Sequence, residues 1–326
     1  MLFISVLAKI LKEYYMRERL MLYIACPLCK NELKLTVDEK EGEEIKEGKI
    51  TCSACNRHYR INKFVPRFVA ADYDVDTFSF EWNKFYDVQI DILNKTNESK
   101  ETFLKKTGFH EADVNGKLVL DAGIGAGRYA DIVSQWGGEV IGLDLSFAVD
   151  AAYKNIGQRD NVHIIQADIL SLPLKKNVFD IIYSIGVLHH TPDTKRAFYA
   201  LLSYLKSGGD IAVYIYSKNL YAKYSDLWRK LTTKIPMKLL YYLTAIAIPA
   251  YHIFKMHPVY GNKIYKLFPM SLHKNSRYRW LDTFDWYAPK YQWKHTEEEV
   301  LAWFHEAGLV EIQKFDFPIC VRGKKP

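Results

Sequence analysis

The sequence predicts an α/β protein: a doubly wound parallel sheet with a small N-terminal zinc ribbon before it and a helical cap inserted late in it. Three observations carry this. Short β-branched runs alternate with helix-length stretches from residue 117 onward, four cysteines fall in two C-x-x-C pairs, and residues 217–295 break the alternation for longer than any simple connection. At 326 residues there is room for a large core plus an appended module, and a content of 49% hydrophobic and 25% charged residues excludes the disordered class.

The opening MLFISVLAKILKEYYMRERLMLY lacks a basic n-region, an adequate apolar h-region and a small-residue cleavage site, so no signal peptide is expected. Its apolar residues recur at helical spacing. Residues 1–21 therefore read as an amphipathic helical extension, surface-packed or membrane-touching, with Met16 and Met21 as alternative starts of translation.

Cys26-Pro-Leu-Cys29 and Cys52-Ser-Ala-Cys55 are two knuckles separated by 22 residues, the arrangement of a four-thiolate zinc ribbon over residues 22–70. One C-x-x-C suits redox chemistry; two in succession suit a metal that replaces the core so short a module cannot build. Metal-bound thiolates also fit a reducing compartment, so a cytoplasmic location is expected, with membrane association left open. VDEKEGEEIKEGK between the knuckles reads as a solvated loop or hairpin. His58 is assigned to surface or packing, because four cysteines already complete a tetrahedron. Residues 71–116, including DVDTFSFEWNKFYDVQID, read as a linker and lead-in helices.

The runs KLVLDAG, EVIGLDL, VHIIQAD, FDIIYSIGV and DIAVYIY are the expected parallel strands. After the first come Gly123, Gly125 and Gly127, spaced G-x-G-x-G, with Arg128 where a dinucleotide fingerprint needs its third glycine. That departs from the NAD pattern. Asp121, just before the glycines, would repel a pyrophosphate but welcome a cationic amine. Asp144 ends the second strand, where a carboxylate can accept hydrogen bonds from both ribose hydroxyls, and Asp168 follows the third, within reach of an adenine amino group. Each acid alone is equally well read as a helix N-cap; three at successive strand ends are harder to explain that way.

LVLDAGIGAGRYA, VIGLDLS, IIQADILSLPL, FDIIYSIGVLHHTPD and LKSGGDIAVYIY, in this order over residues 117–217, resemble the successive motifs of class I S-adenosylmethionine-dependent methyltransferases. The resemblance implies that family's seven-stranded Rossmann-like sheet within residues 117–326. It also implies S-adenosylmethionine as cofactor, with Asp121 and the glycines at its methionine part, Asp144 and Leu145 at the ribose, and Asp168 and Ile169 near the adenine. Ser184 is a further cofactor contact or a buried strand hydroxyl. Ser207 stands where the family more often has proline, which touches a turn and not the chemistry. IACPLCKNELKL and ITCSACNRHYRINKFVPRF resemble the Trm112-like zinc-binding domain, found fused to or partnered with methyltransferases.

His189 and His190, after the fourth strand, are the candidate general bases, or else line the site; imidazole can take a proton near neutral pH. In the cap, Met237–Met256 approaches the length of a membrane span, yet Pro249, Lys238, His252 and Lys255 oppose one. A buried cap helix is expected, a membrane-dipping helix is the alternative, and no transmembrane span is expected. DTFDWYAPKYQWKHT, residues 282–296, with Asp285, Lys290 and His295, reads as a loop over the acceptor or an ordinary packed connection. TEEEVLAWFHEAG reads as a helix capped by Thr296 and stopped by Gly308, followed by an antiparallel strand pair holding Cys320 as a core residue.

The expected activity is methyl transfer to a small-molecule or lipid-like acceptor. An RNA acceptor of the ribosomal-RNA guanine type is the alternative, suggested by the net charge of +7 and opposed by the acidic DEKEGEE in the zinc module. A non-catalytic interaction protein built on the zinc module is the third reading, disfavoured by three intact acids. Peripheral membrane contact stays open for a basic chain.

Overall fold

The computed structural model of the chain describes residues 16–69, 76–218, 220–256, 268–315 and 319–326, together with 261, 265 and 317. Most of the N-terminal extension lies outside them; the described part begins with the short helix α1 (Met16–Leu20). Between and after the cysteine knuckles the chain forms a meander of four strands, β1 (Leu33–Glu41), β2 (Glu44–Cys52), β3 (His58–Asn62) and β4 (Val65–Arg67). The charged stretch expected as loop or hairpin is the β1–β2 hairpin, closed at Glu41 opposite Glu44 around Gly42, whose φ is +62°.

The expected alternation follows as β5 (Leu118–Ala122), β6 (Glu139–Asp144), β7 (Val162–Gln166), β8 (Phe179–Ile185) and β9 (Leu205–Tyr214), all parallel. β10 (Val310–Phe315) and β11 (Cys320–Lys324) end the chain as an antiparallel pair, with β11 also antiparallel to β9. β5 and β7 are buried at every position, which is why they read as unbroken apolar runs: helices cover both faces of a parallel sheet. β9 begins earlier than expected. LKSGG, read as a turn, belongs to the strand, and the pairing with β8 shifts register between Phe179 and Ile181.

The expected seven strands are present in the order β7-β6-β5-β8-β9-β11-β10, but the sheet does not stop there. β4 pairs with β7 at Arg67 and Gln166, so the zinc module extends one continuous sheet to eleven strands. One hydrophobic core runs through both parts, joining Ile24, Ile45 and Ile50 of the module to Leu120, Ile141, Ile165 and Leu174. At about 1.5–3 kcal/mol for each fully buried aliphatic side chain, the shared core binds the module as firmly as any layer of a single domain. A second core on the opposite face gathers Val119, Val140, Ile164 and Phe103. Strand order reverses between β5 and its neighbours β6 and β8, which opens a crevice beyond their C-terminal ends.

Helices α2 (Asp76–Lys84) and α3 (Glu98–Thr107) precede the sheet, and α4 (Arg128–Gln135), α5 (Ala148–Ile156) and α6 (Thr194–Leu202) connect its strands. The cap comprises α7 (Leu220–Thr232), α8 (Met237–Thr244), α9 (Ala247–Met256) and α10 (Ser276–Tyr287). The last helix, α11 (Glu297–Glu306), has the capping box of Thr296 and Glu299, and Gly308 follows at φ +70°.

Two expectations for the cap need correction. Met237–Met256 is not a buried helix: it breaks at Ala245–Ile246 and buries only its inward side, Leu240, Thr244 and Ala247, because α10 covers one face alone. The stretch beginning at Asp282 is not a loop at its start, since residues 282–287 are the last turns of α10.

Candidate functional site

The glycine loop is shaped by backbone that other residues rarely adopt. Gly123, Gly125 and Gly127 have φ of +100°, +53° and +92°. A Cβ on Gly123 would come within 2.3 Å of Val187, and one on Gly127 within 2.8 Å of Ile156, so the neighbouring segments close tightly on the loop. The amides of Gly123 and Ile124 both donate to the Leu143 carbonyl at 2.8 Å, fixing the loop against the end of β6.

Around this loop the structure brings together Asp121, Asp144 and Asp168 with Leu145 and Ile169. Asp121 is buried and accepts a hydrogen bond from the Tyr183 hydroxyl at 2.9 Å. Burial lifts its pKa to about 7, against the lowering effect of that bond. Asp144 accepts from the Gly125 amide at 3.1 Å and from the amide and hydroxyl of Ser146 at 2.9 and 2.7 Å, so it ties the glycine loop to the end of β6. Asp168 accepts from the Leu170 amide at 2.8 Å, the N-cap role its sequence also allowed. Ser184 is not turned to the crevice: fully buried, it donates its hydroxyl to the Ala122 carbonyl at 2.7 Å. A buried acid near neutrality beside a half-buried carboxylate at the next strand end is a pair of acceptors that fits the ammonium and diol of S-adenosylmethionine.

The two adjacent histidines differ. His189 is fully buried, and its Nδ1 accepts from the Tyr216 amide at 3.3 Å, so the proton sits on Nε2, which has no partner. Burial holds its pKa well below the ordinary value. His190 has the opposite tautomer: Nδ1–H donates to the Tyr291 carbonyl at 2.7 Å, which leaves the Nε2 lone pair as acceptor. Burial lowers its pKa as well. Tyr216 stacks on the His189 ring at 3.8 Å between centroids and donates its hydroxyl to Asp285 at 3.0 Å.

Sequence reasoning passed over the roof and the charges beneath it. Helix α2, within the stretch read as linker and lead-in helices, lies across the glycine loop, with the Trp82 ring 3.3 Å from where a Gly125 Cβ would sit. Ser79 accepts from the Phe147 amide at 2.9 Å and Asn83 donates to the Phe147 carbonyl at 3.2 Å, fastening α2 to the segment after β6. Phe78 meets the His190 ring edge-on at 5.2 Å. Glu81 is buried with Oε2 unpartnered, and burial, with Asp285 and Asp282 nearby, raises its pKa well above the ordinary carboxylate value. Burial lifts Asp282 to about 7 even though Ser271 donates to it at 2.9 Å. Opposite these acids burial, with Arg128 nearby, brings Lys106 down to about 7, its ammonium 3.8 Å from the centre of the Tyr214 ring. The signal available in the sequence was the aromatic spacing of DTFSFEWNKF, which a solvated linker does not need.

The zinc-ribbon cysteines form one cluster, with the four sulfurs within 4.8 Å of one another. Cys26 and Cys55 are 3.7 Å apart, and Cys29 and Cys52 are 3.4 Å apart. Zinc held by four thiolates at about 2.3 Å separates its sulfurs by about 3.8 Å, so the cluster fits the ion closely. The two knuckles repeat one turn: Lys30 and Asn56 follow their second cysteines at φ +58° and +55°, and their amides donate to the Cys26 and Cys52 carbonyls at 2.9 and 3.1 Å. Lys30 also donates to the Leu172 carbonyl at 2.7 Å, tying the metal knuckle to the sheet. His58 is exposed on β3 and outside the cluster; Cys320 is a buried core residue whose thiol burial pushes up to about 12.

Residues 120–213 match the family model described as a methyltransferase domain, and residues 17–63 match that of Trm112p-like proteins. Phosphoethanolamine N-methyltransferase 2 of Caenorhabditis elegans is 30% identical over 120 residues, 35% of this chain and 27% of that protein. The tRNA U34 carboxymethyltransferase of Proteus mirabilis is 29% identical over 109 residues, 32% of this chain and 33% of that protein. This chain therefore spans about a quarter to a third of the length of these relatives. A solved complex containing the Haloferax volcanii Trm112 methyltransferase activator is similar over 76% of this chain and 97% of its own, at 14% identity and a TM-score of 0.46.

Proposed function

This chain carries a methyltransferase domain behind an N-terminal Trm112p-like zinc module, and from that premise we propose that it transfers a methyl group from S-adenosylmethionine to a small-molecule or lipid-like acceptor held under the cap. The observation that supports the reading is the buried aromatic and acidic cluster beneath α2, where Phe78 meets the His190 ring and Tyr216 bonds to Asp285 of α10. Such an apolar, aromatic setting suits a compact acceptor better than a nucleic-acid strand.

When bound, S-adenosylmethionine supplies an electrophilic methyl group on a positively charged sulfur. The chain's own residues hold and orient it: Asp121 takes the ammonium, Asp144 the ribose hydroxyls, and Asp168 and Ile169 border the adenine. Methyl transfer from it would be an in-line displacement, so what this chain would supply is alignment of the held cofactor with the acceptor. Alignment supplies most of the acceleration in such an in-line displacement. Nε2 of His190 takes the acceptor's proton, while His189 supports Tyr216 and does no proton transfer. The closed roof keeps water from the reacting centre.

The test is transfer of labelled methyl from S-adenosylmethionine into fractionated extract. Label in the organic-soluble or small polar fraction is expected; label in RNA overturns the acceptor class. No label anywhere, with zinc bound and the fold verified, would favour the interaction-protein reading.

A further inference from the structure

The outward side of α8 and α9 carries a feature that methyl transfer does not use. Leu239, Tyr242, Leu243, Ile246, Ile253 and Met256 are each between 50% and 73% exposed and recur at helical spacing, whereas Leu240, Thr244 and Ala247 are buried. A surface helix ordinarily turns polar residues outward, and a contiguous apolar stripe marks an interaction site.

The sequence that carries this stripe is also where the chain's net positive charge arises. From Lys218 to Lys274 the sequence has ten lysines and arginines against Asp226 alone, a formal +9 in a chain whose total is +7. The remainder is slightly acidic. Lys230, Lys234, Lys238 and Lys255 are exposed and make no ion pair among the described residues.

We infer that the outer face of α8–α9 docks on an anionic phospholipid bilayer, lying in the interface with its apolar side chains in the acyl boundary and its lysines at the headgroups. Met237–Met256 is long and apolar enough to cross a membrane, yet it breaks into helices of 8 and 10 residues, each well short of the roughly 20 that a span requires. Its inner face is committed to protein, with Leu240 packed beside Phe284 and Tyr287, so lipid reaches one side only. A second copy of the chain fits poorly: two-fold pairing of this face would set lysines against lysines. Nucleic acid would satisfy the lysines but leave the aliphatic stripe in water. The inference is independent of which acceptor is methylated.

The experiment is co-sedimentation of the zinc-loaded full chain with vesicles of pure phosphatidylcholine and of phosphatidylcholine containing phosphatidylserine. Binding to the anionic vesicles, weakened by salt, is the expected result. Ile246→Asp together with Ile253→Asp should abolish it while leaving the circular dichroism spectrum unchanged. The triple change Lys230→Gln, Lys234→Gln and Lys238→Gln should weaken it about five-fold per lysine at low ionic strength. A chain that stays in the supernatant with both vesicle types overturns the inference, as does a stable dimer that Ile246→Asp dissociates, or preference for RNA over the anionic vesicles.

Discussion

His189 and His190 are adjacent in sequence and opposite in chemistry. The Tyr216 amide occupies the lone pair of His189, whereas the Tyr291 carbonyl takes the proton of His190 and frees Nε2. His190→Gln should therefore lower turnover by about 100-fold or more with cofactor affinity intact, the usual scale for a general base. His189→Gln should chiefly lower the melting temperature; paired measurements of kcat and Tm on the two variants separate the roles. Because burial lowers the pKa of His190, the acid limb of kcat should fall below the ordinary imidazole range. Asp121 sets a second pH dependence. Its folded pKa of about 7 exceeds that of an unfolded chain, so the folded state binds the extra proton between pH 4 and 7. Without cofactor, its contribution to stability is complete below pH 4 and is lost as pH rises toward 7, by at most ~4 kcal/mol. An ammonium ligand reverses the trend, so affinity for S-adenosylmethionine should rise from pH 5 to 8 in calorimetric titration, and Asp121→Asn should flatten the rise.

Among the elements, the zinc ribbon illustrates how a small module is held twice. Its cysteines gather in a cluster that fits zinc, and its strands continue the main sheet through Arg67, which pairs with Gln166 and bonds to Asp150 at 2.6 Å. Tyr23 and Ala25 exchange backbone hydrogen bonds with Lys175 and Pro173 at 2.8 and 3.0 Å, alongside the knuckle lysine on Leu172. Chelation of zinc should therefore lower the melting temperature of the whole chain in a single transition. Scanning calorimetry with and without chelator checks this; a separate low-temperature transition for the ribbon would mean the two parts unfold independently. Helix α2 shows the converse case, an element with little core of its own that gains its place by lying between the glycine loop and the cap.

At the scale of the whole molecule, one eleven-stranded sheet carries three surfaces with distinct tasks. The crevice at the strand ends gathers the acids, the module carries the cysteine cluster that fits a metal, and the cap divides its apolar residues between an inner and an outer face. The net basic charge arises in the cap sequence, so a modest net value of +7 conceals an uneven distribution along the chain. The chain-wide charge was the same number in the sequence, but its meaning depended on which side of the cap faced outward.

What the sequence determined by itself was everything written in local spacing. The parallel strands, the glycine loop, the paired cysteines and the capped helix at Thr296 all follow from periodicity, turn chemistry and ligand geometry within a few residues. The family resemblance added the strand count of the main sheet, and the structure its order. Only the tertiary structure decided the rest, because it depended on contacts between distant segments. It set Trp82 over Gly125, buried Glu81 beside Asp285, gave His189 and His190 different tautomers, and continued the ribbon into the sheet at Arg67. The same reason explains the cap: an apolar residue announces that it avoids water, and only the packed fold shows whether protein covers it.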